Sequence, residues 1–267
     1  MIDAHVHVWS KDELSQPWLV EPANAKIARA WTMNDWQLQA GRDWRAIVVE
    51  AVDSSDVSER LLLDLAGDER VAGVVAWVDL KQPDAAEQLK RLADGLGGAK
   101  LVGVRQPGNV PDAHSDAVDA IERAGLILEI LTSPEGLHQV AELARAHPHL
   151  RIVIDHLGCP QFSNEGMATW LDALHGLGDM VFMKLSGLYG SNAMVASALD
   201  QARQTFGAQR LLYGSDWPIL LLRGDDTYTQ RLHWLKNALA TWSESERNAV
   251  FDRTATFVYG LDRTEAR

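Results

Sequence analysis

The chain has 267 residues, 46% of them hydrophobic, and carries 37 acidic against 25 basic side chains for a net charge of −12. That length and apolar content suit one α/β barrel or two small domains. The acidity, with no basic stripe, argues against nucleic acid or an anionic membrane surface as partner. Cys159 is the single cysteine, so no internal disulfide can form, and a reducing cytoplasm is the expected compartment. The opening Met1-Ile2-Asp3-Ala4-His5 lacks the basic-then-apolar pattern of a signal peptide. No apolar run approaches the roughly 20 residues that span a bilayer.

Short apolar runs alternate with amphipathic ones along the whole chain. The first, Ile2 to Trp9, reads as a strand and is followed by an irregular stretch, about 10–31, rich in Pro and Trp. A connection that long in a compact domain is often functional. Strands are then expected at 46–51, 71–78, 101–105, 126–131, 151–156, 181–185 and 210–213. Helices are expected between them, near 57–66, 84–92, 116–123, from Pro134, and near 166–175. Ala85, Leu89 and Leu92 share one helical face. Pro134 suits a first helical position, where a missing N–H is harmless. Ser243-x-x-Glu246 reads as a capping box that opens the last helix, which runs to Val258-Tyr259-Gly260.

Eight almost wholly apolar strands with helices between them predict a single distorted (β/α)₈ barrel over 1–267, with a long loop after the first strand. A doubly wound open sheet is the alternative, disfavoured by the absence of a Gly-x-Gly-x-x-Gly turn. In a barrel the C-terminal strand ends share one mouth. His5, His7, Arg105, His156, Lys184 and Asp216 all fall at or just past such ends. His5 and His7 are two apart in a strand and project together. Burying two imidazoles side by side is costly unless each finds a partner. Three imidazoles and a carboxylate can bind a divalent metal or work as a proton-transfer cluster. Asp155, adjacent to His156, is expected to face the helices, by alternation. The histidines at 114, 138, 147, 149, 175 and 233 are read as surface or core residues.

The segments Ile2-Asp3-Ala4-His5-Val6-His7-Val8-Trp9, Val153-Ile154-Asp155-His156-Leu157-Gly158, Lys184-Leu185-Ser186-Gly187-Leu188 and Tyr213-Gly214-Ser215-Asp216-Trp217-Pro218 resemble the amidohydrolase superfamily. Within it they are most similar to the branch of sugar-lactone and 2-pyrone-4,6-dicarboxylate lactonases. The likeness extends to Pro17-Trp18-Leu19, Val75–Leu80, Leu101–Arg105 and the Thr254–Leu261 tail. It implies a barrel that hydrolyses a lactone, with Asp216 the general base activating water. It further implies that His5, His7 and His156 surround the carbonyl oxygen or a metal, and that Arg105 binds a carboxylate or hydroxyl of the substrate.

Departures from the wider superfamily narrow the expectation. The fourth strand ends in Arg105, where binuclear members carry a modified Lys, and Lys100 lies at its other end. The fifth strand lacks the His of the metal-dependent decarboxylases and hydratases. Cys159 stands where many sugar lactonases have Lys. No metal is therefore expected to be required; if a single zinc or other divalent ion binds, His5, His7, His156 and Asp216 are its ligands.

The expected activity is opening of a sugar-acid 1,4- or 1,5-lactone by Asp216-activated water, in a cytoplasmic monomer or homodimer of carbohydrate catabolism. Lys184 and Trp217 join Arg105 as candidate substrate contacts, although Lys184 can equally pair with a barrel acid, and core packing is the default for a Trp. Glu50 and Glu129 are either acids behind the site or part of a polar layer inside the barrel. A base for Cys159 as nucleophile is not evident. The alternatives are a zinc-dependent decarboxylase or amide hydrolase of the same superfamily, and a non-catalytic small-molecule-binding barrel.

Overall fold

The computed structural model describes residues 1–222, 224 and 227–262, so the expected 1–267 domain ends outside the described residues. Eight parallel strands follow one another in chain order: β1 (Ile2–Val6), β2 (Arg45–Val49), β3 (Val71–Trp77), β4 (Leu101–Pro107), β5 (Ile127–Leu131), β6 (Ile152–Ile154), β7 (Val181–Leu185) and β8 (Leu211–Tyr213). The sheet closes between β1 and the segment after β8, through Asp216 N–H to His5 O (2.9 Å) and His7 N–H to Trp217 O (2.7 Å). The protein is thus a (β/α)₈ barrel.

The helices that cover it include α1 (Met33–Ala40), α2 (Ser55–Leu65), α3 (Ala85–Asp94), α4 (Asp116–Ala124), α5 (Leu137–Ala146), α6 (Asn164–Ala173), α7 (Asn192–Phe206) and α8 (Tyr228–Ala238). Pro134 opens a short 3₁₀ turn ahead of α5. The Ser243–Glu246 capping box is formed in both directions and starts α9 (Glu244–Asn248). A wide turn, Ala249–Arg253, joins it to α10 (Thr254–Tyr259), and Gly260 ends α10 in the left-handed region. The 10–31 stretch folds as two 3₁₀ turns, tied at its ends by paired Trp9–Trp31 backbone bonds. Among the described residues no helix is long and apolar enough to cross a membrane.

Two apolar clusters divide the strand residues by face. Ile2, Ala4, Ile47, Val49, Val75, Ile127, Val153, Phe182 and Leu212 pack inside the barrel, plugged by Val258 and Tyr259 of α10. Val48, Val74, Val104, Leu128, Ile154, Met183 and Tyr213 pack outward against the helices. The inner set is smaller because the upper interior of the barrel is polar, and that is where the site lies.

Candidate active site

β1 delivers His5 and His7 through an irregularity. Asp3 is paired with Ala46 and Val6 with Val48, so three steps on β1 match two on β2. An inserted residue of this kind re-aims side chains. Asp3 points outward, accepting from Trp36 Nε1 and the Tyr228 hydroxyl, each at 3.1 Å. Simple alternation would put His5 beside it; the bulge turns His5 and His7 inward. Gly214 makes room, since a Cβ there would lie 2.7 Å from His5 Cβ.

β6 corrects one expectation. Val153 faces the barrel interior, and Asp155 continues that alternation, so Asp155 points into the barrel rather than towards the helices. His156 reaches the site by another route. Its φ of 53°, with Leu157 at 57°, is left-handed and breaks the strand pattern. Such a conformation is costly for a side-chain-bearing residue, and it is found mostly where function requires it. Asp216, at φ 60°, is turned in the same way after β8. Gly187 allows the arrangement, because at φ +63° its absent Cβ would sit 2.7 Å from His156 Cβ.

These segments bring His5, His7, His156, Arg105 and Asp216 together at the C-terminal mouth. His5 Nε2 and His7 Nε2 are 3.0 Å apart, and Asp216 Oδ1 lies 3.8 and 3.7 Å from them. The His5 and His156 rings are 4.8 Å apart between centroids. A cavity of about 520 Å³ opens above, and its polar lining includes His7, His156, Arg105, Asp53, Asp216 and Tyr189. Trp18, Leu131, Phe162 and Ile219 are among its apolar lining residues. Cys159 also lines it, its thiol pushed up to about 11 by loss of hydration and by the Asp155 carboxylate. That value makes it a poor nucleophile.

Lys184 and Trp217 are placed elsewhere. Lys184 is fully buried beneath the cavity floor, 2.6 Å from Glu129 Oε2, 3.1 Å from Asp155 Oδ1 and 2.9 Å from His5 Nδ1. Among the two readings of Lys184, this geometry matches pairing with barrel acids. Trp217 is buried edge-on against Trp31 and Tyr228, in the core. Glu129 belongs to the network under the site, accepting also from Tyr259 of α10 at 2.6 Å. Glu50 lines a separate cavity of about 260 Å³ with Glu13 and Arg60. Tyr189 was not singled out in the sequence; its hydroxyl donates to Asp216 Oδ2 at 2.7 Å. Its signal was there to find, since it lies four residues past β7, at the same mouth.

Burial and neighbouring charge set the protonation states. Burial pushes the His5 imidazole well below its ordinary value, and Lys184 adds to this, so His5 is neutral. Burial lowers His156 as well, although Asp216 and Asp155 oppose it. Burial would raise Asp216, but its histidine neighbours, His156 first, outweigh burial and hold the carboxylate below its usual range. Asp155 likewise stays ionised against burial, held by Lys184, His5 and Arg105; Arg105 donates from Nε at 2.8 Å. The two terminal nitrogens of Arg105 have no protein partner among the described residues.

The donor set fits one divalent cation. His5, His7 and Asp216 offer three ligand atoms within 4.8 Å of one another, as do His5, Asp155 and His156. Two nitrogens bound to a tetrahedral zinc stand about 3.3 Å apart, close to the His5–His7 separation.

The barrel thus carries two histidines at the end of its first strand and an acid after its eighth, gathered at one mouth. The sequence profile of the Amidohydrolase family matches residues 2–261. The L-fucono-1,5-lactonase of Burkholderia ambifaria is 31% identical over 285 residues, covering 98% of this chain and 96% of that relative. An amidohydrolase from Burkholderia multivorans, solved with bound zinc, superposes with a TM-score of 0.85 at 28% identity, over 97% of this chain and 99% of that one. A probable 2-pyrone-4,6-dicarboxylic acid hydrolase from Acinetobacter baumannii, solved with citric acid, shares the fold at a TM-score of 0.77 and 18% identity, covering 97% of this chain and 98% of the other. The chain belongs to the amidohydrolase family, in its lactonase branch, and is a hydrolase.

Proposed function

We propose that this protein opens a sugar-acid 1,4- or 1,5-lactone to the hydroxy acid. The observation that carries this is the Asp216 carboxylate, 3.8 and 3.7 Å from His5 and His7, in a cavity that His156 and Arg105 also line. The 31% identity to a lactonase named for a sugar lactone supports it. Asp53, Arg105 and Tyr189 offer hydrogen-bonding groups for ring hydroxyls, and Trp18 and Phe162 offer an apolar wall for the carbon face.

In this reading Asp216 Oδ1 takes a proton as water attacks the carbonyl carbon. Its other oxygen is engaged by Tyr189, which keeps Oδ1 directed at the cavity. Charge developing on the carbonyl oxygen is met by His156 and by the terminal guanidinium nitrogens of Arg105, with His7 beside them and His5 behind. When the tetrahedral adduct collapses, the ring C–O bond breaks and Asp216 returns its proton to the leaving alkoxide. No metal is required for these steps. A divalent ion held by His5, His7 and Asp216, with His156 adjacent, would supply Lewis-acid polarisation and a more acidic water.

A pH-indicator screen of sugar lactones, run with and without a chelator, tests the reading. It expects ring opening of at least one sugar lactone that survives exhaustive chelation. A flat response across the panel would favour a binding barrel instead. Loss on chelation with recovery on zinc would make the metal part of the mechanism.

A further inference from the structure

Asp53 lines the cavity but takes no part in the chemical steps above. It stands in a short turn after β2, and both sides of that turn are pinned. The Ala51 and Val52 N–H groups donate to Glu50 Oε1, Val52 is buried, and Ser54 N–H donates to Val52 O at 2.7 Å. The Ser54 side chain then caps α2 by accepting from Val57 N–H. The turn fixes where Asp53 stands. Its side chain is exposed and makes no hydrogen bond or ion pair among the described residues.

The cations nearby are already matched. Arg105 is the one Lys or Arg among the described residues that line the cavity, and its Nε donates to Asp155 at 2.8 Å. Lys184, fully buried, lies 2.6 Å from Glu129 and 3.1 Å from Asp155. Two cations thus face two buried carboxylates, and neither cation is left over for Asp53. Loss of hydration raises the Asp53 carboxyl and the Arg105 guanidinium acts against that rise, so the two charges act on each other without pairing. A substrate carboxylate drawn to Arg105 would therefore also meet Asp53. A carboxylate accepts hydrogen bonds and can take two hydroxyls at once. It repels a second anion, the more so where water is partly excluded. Selectivity of this kind comes as much from rejecting the wrong ligand as from holding the right one.

We propose that Asp53 is a charge selector: it accepts from the hydroxyls of an uncharged polyhydroxylated ring and rejects a ring that carries a free carboxylate. The site would accordingly open an aldonic acid lactone in preference to the monolactone of the matching aldaric acid, in which the terminal CH₂OH is a carboxylate. This preference rests on the lactone reading above. A divalent ion at His5 and His7 would leave the selector in place, since Asp53 is not among the candidate ligands.

Two measurements test it, on variants that should keep the fold because Asp53 is exposed and makes no bonds to the rest of the chain. The first compares kcat/KM for the two lactones. The wild type should prefer the uncharged one. Asp53→Asn, which keeps the size and removes the charge, should lower that preference about tenfold, mainly through KM, and Asp53→Glu should retain it. The second needs no turnover: titration calorimetry with a 1,5-anhydroalditol and with the same ring oxidised to a carboxylate. The uncharged ring should bind the wild type more tightly, and the difference should shrink about tenfold in Asp53→Asn but not in Asp53→Glu. That binding pattern without opening of any lactone would sink the lactone reading and support the selector. The selector is overturned if the wild type binds the charged ring as tightly as the uncharged one, or binds neither. It is also overturned if Asp53→Asn leaves the difference unchanged, or if Asp53→Glu loses it equally, which would assign the discrimination to shape.

Discussion

The Tyr189 hydroxyl is 2.7 Å from Asp216 Oδ2, so the proposed base is held by a residue from the loop after β7 while its other oxygen faces His5 and His7. Hydrogen bonds to charged groups contribute about 1.5–3 kcal/mol. Tyr189→Phe should therefore lower kcat by roughly 10- to 100-fold with a smaller change in KM. Losing a donor to the carboxylate favours its protonated form, so the acid limb of the pH–rate profile should move to higher pH. An unshifted limb with full kcat would remove Tyr189 from the machinery.

Asp155 is the common anion of Lys184, fully buried, and Arg105, half-buried at the cavity. Asp155→Asn takes its carboxylate from Arg105 and leaves Lys184 with Glu129 alone, and should cost about 3 kcal/mol of stability, measured by urea unfolding. Its folded value lies well below the ordinary carboxylate one. The stabilisation is thus complete above about pH 4 and lost as pH falls further. The variant should accordingly show a flatter loss of stability in acid than the wild type.

Glu50 gives the opposite sign. Burial pushes its carboxyl up to about 7 against the Ala51 and Val52 amides, which donate to Oε1 at 2.8 and 3.0 Å. A carboxyl raised in the folded state stabilises fully below its unfolded value of 4.5, and that contribution is lost as pH rises through 7. Glu50→Gln should then raise Tm at pH 8 and leave it nearly unchanged at pH 5, the gain at pH 8 reaching at most roughly 3 kcal/mol. Equal shifts at both pH values would show that Glu50 is already ionised in the folded protein.

The barrel was legible because each strand is a short apolar run covered on both faces, and apolar character survives errors of a residue or two at the ends. The convergence of His5, His7, Arg105, His156 and Asp216 followed from that topology alone. Side-chain direction was less accessible. His5 faces inward only because β1 has an inserted residue, which His5-x-His7 spacing does not reveal. Taking His156 as the inward residue put Asp155 outward, whereas Asp155 continues the inward alternation of Val153 and His156 reaches the site only because the strand ends at Ile154 in a left-handed turn. Lys184 shares the inward face of Phe182, but its depth depends on Glu129 and Tyr259, two residues far from it in sequence. Trp217 follows the site acid, yet it packs on Trp31 from the first loop.

The central claim is that Asp216 activates water for ester ring opening, and Asp216→Asn tests it most directly. The substitution is nearly isosteric and leaves Tyr189 a partner. On the best sugar lactone from the screen, kcat of the purified, folded variant should fall by about 10²–10⁴-fold, the usual cost of losing a general base. A variant that keeps more than about half of wild-type turnover would contradict the assignment.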